Sequence, residues 1–161
     1  MISVSEYLDT SYRPDCEYLN GELLERNVGD WEHGRLQMLL SGFLCDREQE
    51  WGIVVALAQR IQVSPARFRV PDITVISGSP DGQIIRKPPF LCIEILSPRD
   101  RLVEMQERVD DYLGFGVRYV WVINPKTRQA WVYGPNGLQE SRDGALTTAN
   151  PDIRVALGEL E

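Results

Sequence analysis

Val70-Pro71-Asp72-Ile73-Thr74-Val75-Ile76 and Phe90-Leu91-Cys92-Ile93-Glu94-Ile95-Leu96 each set one carboxylate inside an apolar run. The second run is too short for a helix and reads as a buried central strand, closed by Ser97-Pro98. The first belongs to a strand expected from Arg69 to Ser77, in which Pro71 marks an edge or a strand start. With a side-chain period of two, Cys92, Glu94 and Leu96 share one face. An ionised carboxylate in a buried strand costs several kcal/mol unless it is paired or metal-bound. Two arrangements stay open for Asp72 and Glu94. Each acid could turn to solvent or pair with an arginine, or the two could converge as an oxygen-rich pocket suited to magnesium or manganese.

Working outward, Ser3-Val4-Ser5-Glu6 has capping-box spacing and opens a short helix to about Leu8. Asn20-Gly21 between Cys16-Glu17-Tyr18-Leu19 and Glu22-Leu23-Leu24-Glu25 predicts a hairpin, because both turn positions must accept positive φ. Residues 31–50 read as a long helix with Leu36, Leu39, Leu40, Phe43 and Leu44 in one stripe. Ile53 to Ala58 and Arg60 to Val63 read as strand, and residues 78–82 as loop. A second amphipathic helix is expected over residues 100–113, with Leu102, Met105, Val109, Tyr112 and Leu113 on its buried face. Arg118 to Ile123 and Gln129 to Tyr133 read as strands, and residues 137–161 hold one further weak strand. The order is hairpin, helix, strands, helix, strands. It predicts a single α/β domain over residues 1–161 with a mixed sheet.

The chain has 161 residues, 43% apolar and 25% charged, which is ordinary globular usage and excludes disorder and coiled-coil arrays. No apolar run approaches the roughly 18 residues that cross a bilayer, and the N-terminus has no basic signal-peptide head. Cys16, Cys45 and Cys92 are widely spaced and form no CxxC pair, which fits a reducing cytoplasm. The net charge of −7 is a poor footprint for bulk electrostatic binding of nucleic acid. The charge is unevenly spread: residues 59–101 carry 7 basic and 4 acidic groups, against 4 and 11 in residues 1–58. Lysine is scarce, with only Lys87 and Lys126.

Pro71-Asp72 followed by Glu94-Ile95-Leu96-Ser97-Pro98 resembles the PD-(D/E)XK nuclease pattern, and more specifically the Uma-two family of bacterial restriction endonucleases. The resemblance extends to Val4-Ser5-Glu6-Tyr7-Leu8, Tyr18-Leu19-Asn20-Gly21-Glu22-Leu23 and His33 at the opening of the long helix. It includes the run from Tyr112-Leu113-Gly114-Phe115-Gly116 to Val122-Ile123-Asn124-Pro125. Each motif alone is nearly degenerate, whereas their order and spacing together are fairly specific. The resemblance implies a restriction-endonuclease-like core: a mixed sheet flanked by helices, with an N-terminal hairpin. It further implies a Mg- or Mn-dependent endonuclease acting on DNA, with Asp72 and Glu94 as metal ligands.

The resemblance also implies a third acid from the N-terminal part, for which Glu22 is the matching residue; the other reading of Glu22 is an exposed hairpin carboxylate. His33, the only histidine, borders the apolar stripe. It is either a partly buried structural residue or a contact to phosphate or water in the metal pocket. At the position of the motif's lysine stands Leu96. The family resemblance implies that the lysine has moved to the following helix, four residues before a tyrosine. Tyr112 matches that tyrosine and Arg108 stands four residues before it. Arginine supplies charge and bidentate phosphate contacts but stays protonated, so it can clamp a phosphate and cannot act as a general base.

Arg60, Arg67, Arg69, Arg99 and Arg101 crowd the segment around the two acids, as a phosphate track or as a solvated face. The four tryptophans are expected in the core or at an interface. The aromatic surface of Trp121, Trp131 and Tyr133 predicts a homo-oligomer, a dimer by symmetry. The function expected is thus metal-dependent DNA cleavage. The alternative is a weakened nuclease-fold protein serving as a binding or oligomerisation module.

Overall fold

The computed structural model describes residues 1–26 and 29–160. In chain order the first elements are α1 (Val4–Leu8), β1 (Cys16–Leu19), β2 (Glu22–Glu25), α2 (Trp31–Cys45) and α3 (Glu48–Trp51). Next come β3 (Ile53–Leu57), β4 (Ile61–Ser64), β5 (Arg67–Arg69), β6 (Ile73–Ser77) and β7 (Leu91–Ile95). The chain continues through α4 (Leu102–Phe115), β8 (Tyr119–Ile123), β9 (Ala130–Gly134) and β10 (Gly137–Ser141). The ribbon strands β11 (Ala145–Thr147) and β12 (Arg154–Ala156) and a single 3-10 turn, Leu157–Glu159, complete it.

The main sheet has six strands in the order β10-β9-β8-β7-β6-β3. Only β7 and β8 are parallel, and α4 makes the crossover between them, because parallel neighbours cannot be joined by a tight turn. Period two divides the side chains of this sheet between two layers. Ile73, Val75, Leu91, Ile93, Trp121 and Ile123 pack with Leu36, Leu40 and Leu44 of α2. Cys92, Val120 and Val122 pack with Met105, Val109 and Tyr112 of α4. Each fully buried leucine of α2 contributes about 1.5–3 kcal/mol. The second sheet, β2-β1-β5-β4, is antiparallel and carries a small cluster of Tyr7, Tyr18 and Phe68. This is the mixed α/β sheet flanked by helices that the sequence predicts, with the hairpin at Asn20-Gly21 (φ 51° and 98°) in place.

Five local expectations change, the first being that the helix expected over residues 31–50 is two, α2 and α3, parted at Asp46-Arg47. The strand expected from Arg69 to Ser77 is two strands in different sheets, parted at Val70-Pro71-Asp72. Pro71 has no N–H to continue a ladder, and the neighbouring Val70 N–H turns instead to Glu17 Oε2 at 2.8 Å. The buried face of α4 contains Arg108, whereas Leu102 and Leu113 are exposed. Residues 137–161 form three short strands rather than one, and β11 and β12 each offer a single buried residue, Leu146 and Val155, to the core. Trp121 is fully buried and Trp131 and Tyr133 pack onto the α4 layer, while Trp31 at the start of α2 is 79% exposed. Among the described residues, no helix is long and apolar enough to cross a membrane.

Candidate active site

Asp72 lies where the chain leaves the small sheet and enters the large one. The register Ile73↔Ile93 places it beside Glu94, one step further along the β6–β7 pair. Its Oδ2 accepts the Ile95 N–H at 2.7 Å, so the carboxylate replaces the backbone carbonyl that a continuing strand would supply. Glu94 is on β7 and shares the α4-facing side with Cys92, as the two-residue period requires. Its Oε2 accepts a hydrogen bond from the Tyr112 hydroxyl at 2.6 Å. Leu96, at the motif's lysine position, packs onto the same apolar layer.

Both acids face one cation. Arg26 Nη2 is 2.7 Å from Asp72 Oδ1 and 3.6 Å from Glu94 Oε1. His33, in the first turn of α2, brings Nε2 to 3.3 Å from Asp72 Oδ2. Its backbone N–H donates to the N-cap Asp30. The ring packs tightly on Gly29, where a Cβ would come within 2.6 Å of Nδ1. Arg26, His33, Glu94, Ser97, Asp100 and Arg108 line a common cleft.

The electrostatics separate the two carboxylates. Burial opposes the charge on Asp72, but the His33 hydrogen bond and the Arg26 charge outweigh it and hold the carboxyl below its usual range. Burial pushes Glu94 up to about 7; Arg26 opposes that rise and neighbouring Asp72 adds to it. The hydrogen bond to Asp72 raises His33 against the effect of its own burial. Two adjacent carboxyls with different proton affinities are an arrangement often found at functional sites.

The structure brings Glu94, His33 and Arg108 to this cleft, sets Asp72 behind it against Arg26 and His33, and leaves Glu22 apart. Glu22 is exposed at the hairpin end of β2, and four residues of strand put it about 13 Å from Arg26. The acid of the N-terminal segment that does reach inward is Glu17 on β1. It is fully buried and takes Arg108 Nη2 at 2.8 Å and Nε at 3.0 Å on Oε1. Arg69 Nη1 adds a third contact at 3.2 Å. Two donors of Arg108 are therefore committed inside the fold. Arg60 is likewise committed to Asp15, and Arg67 and Arg69 to Asp111, whereas Arg99 and Arg101 are exposed just before α4. Lys126 lines a neighbouring cleft that shares Ser97 and Asp100 with the first.

Sequence reasoning passed over Arg26 and Glu17. The signal for Glu17 was present: an acid alternating with Cys16 and Tyr18 in a strand whose three first positions are all buried. Arg26 follows a polar strand end, and nothing in its neighbours foretells its partners.

A model of the Uma2 family, described as "Putative restriction endonuclease", matches residues 4–157. The chain belongs to the Uma2 family. A Uma2 chain is expected to share its fold with solved relatives, and one does. The crystal structure of a protein from Anabaena variabilis ATCC 29413, described as a putative nuclease belonging to DUF820, superposes with a TM-score of 0.85. The likeness covers 99% of this Uma2 chain and 97% of that one at 19% sequence identity, and shows a common fold. No curated protein matches the chain significantly.

Proposed function

We propose that this Uma2 protein is a divalent-metal-dependent endonuclease that hydrolyses phosphodiester bonds of DNA, with residues 1–161 acting as one domain. The observation that carries this reading is the convergence of Asp72 Oδ1 and Glu94 Oε1 on one positive charge. Hard carboxylate oxygens are the donors that magnesium and manganese prefer. Among the described residues, no three His, Cys, Asp or Glu side chains gather at metal-binding spacing. Two carboxylates still fit the chemistry, because magnesium is commonly held by one or two carboxylates together with water and phosphate oxygens. The donor set thus suits the ion. When bound, such an ion supplies Lewis acidity at a phosphoryl oxygen and makes a water more acidic.

The chain's own residues do the remaining work. The Ile95 N–H and the Tyr112 hydroxyl fix the two carboxylates from behind, leaving Oδ1 and Oε1 turned toward Arg26. His33 stands beside Asp72, within reach of a water or a phosphate oxygen entering the cleft. Arg108 contributes positive charge from a position fixed by Glu17. Glu22 has no part in this arrangement.

Nicking of supercoiled plasmid with millimolar magnesium or manganese tests the proposal. Wild type is expected to cut, and Asp72→Asn and Glu94→Gln are expected to abolish cutting and calorimetric manganese binding together. An inactive wild type on supercoiled, linear and single-stranded DNA would leave the binding-module alternative standing. A two-fold dimer suits duplex cleavage, and light scattering at micromolar concentration measures it directly.

A further inference from the structure

The carboxylates of the cleft are anchored and the cation between them is not. Asp72 is held by a backbone N–H and Glu94 by a tyrosine hydroxyl, both on elements packed into the core. Arg26 lies one residue past the end of β2, outside the ladder. Its guanidinium is also poorly used. A single nitrogen, Nη2, makes both contacts, one short and one long, while Nη1 is buried without a hydrogen-bond partner. A fork that served only to clamp carboxylates would spend both nitrogens on them. An orphaned buried donor carries a cost that any rearrangement giving it a partner would recover.

We infer that Arg26 is a displaceable resident cation: Arg26 and a divalent metal ion are mutually exclusive occupants of the position between Asp72 Oδ1 and Glu94 Oε1. The inference rests on the reading of Asp72 and Glu94 as metal ligands and adds to it a competitor encoded in the chain. The two positive occupants cannot share the site. Both draw on the same two oxygens, and their like charges would repel at a few ångströms in a buried setting. Metal affinity is then set by how often Arg26 withdraws, since an ion that needs the withdrawn form binds in proportion to its population.

Calorimetric titration of manganese into the full chain tests this without reference to cleavage. Arg26→Gln is expected to bind about tenfold more tightly than wild type, the change for a competitor in place roughly nine-tenths of the time. Arg26→Lys, with a charge on a shorter stem, is expected to fall between the two. Adding Asp72→Asn to Arg26→Gln should abolish the gain, which locates it at this site. Thermal unfolding gives a second readout: manganese should raise the Tm of Arg26→Gln by more than it raises that of wild type. Equal or weaker binding by Arg26→Gln would overturn the inference while leaving the metal site intact. If Arg26→Gln does not fold, Arg26→Lys decides, and affinity no greater than wild type overturns it. No binding by wild type or by any variant would remove the metal site itself, and this inference with it.

Discussion

Glu17 and Arg108 stand 91 residues apart in sequence and meet in a buried fork, with Nη2 at 2.8 Å and Nε at 3.0 Å from Oε1. This pair ties β1 to α4. Because Arg69 joins it, one carboxylate neutralises charge from two arginines.

Removing that carboxylate strands the Arg108 guanidinium, whereas Arg69 keeps Asp111 at 2.7 Å. Glu17→Gln is expected to cost about 3–5 kcal/mol, the range for breaking a buried ion pair from one side. Urea unfolding at pH 7 measures it.

The same pair sets an acid limit on stability. Burial raises Glu17, but Arg108 and Arg69 outweigh it and hold the carboxyl below its usual range. A carboxyl lowered in the folded state stabilises the fold above its unfolded value, about 4.3, and that stabilisation fades as pH falls through the folded value. Tm should therefore change little on this account between pH 7 and about pH 5 and drop on further acidification. In Glu17→Gln this part of the acid loss should be missing.

Tyr112→Phe removes the hydroxyl that donates to Glu94 at 2.6 Å and keeps the ring that packs on the sheet. On the proposed function, manganese affinity should fall about 10–100-fold, as for other groups that orient a metal ligand from behind. Calorimetry checks it, and unchanged affinity would detach Tyr112 from the site.

Gly29→Ala should push the His33 ring away from Asp72, since the added Cβ would otherwise lie 2.6 Å from Nδ1. Plasmid nicking is expected to fall as far as in His33→Ala, and the double variant no further. Additive losses would show that the two changes act separately.

Lys126 is exposed beside the cleft mouth and lies in the wrong segment to replace the motif's lysine. As a phosphate contact its loss in Lys126→Ala should weaken binding of all DNA sequences alike. It should reduce the slope of log affinity against log salt by about one. Fluorescence anisotropy across a salt series measures both effects.

The fold was legible where burial imposes a period. Leu36, Leu40 and Leu44, the run from Leu91 to Ile95, and Asn20-Gly21 each state their structure locally. The need of Asp72 and Glu94 for a partner was legible because each acid interrupts an apolar run at a marked cost, but whether that partner would be an arginine or a second acid was not. Arg26, Glu17 and the committed state of Arg108 were hidden for the opposite reason. An ion pair between distant segments leaves no periodic trace, and an arginine on a helix reads as surface until its partner is seen. The break at Val70-Pro71-Asp72 was half visible: Pro71 announced an interruption, but the Glu17 carboxylate that receives the Val70 N–H comes from 53 residues away.

That break makes Asp72 a corner post. The chain bends there from one hydrogen-bonded surface to another, and the carboxylate bonds to β7 on one side and meets Arg26 and His33 on the other. The direction in which the Asp72 carboxylate points is therefore set by how those two hydrogen-bonded surfaces are joined, so a substitution that shifts the joint also turns the acid.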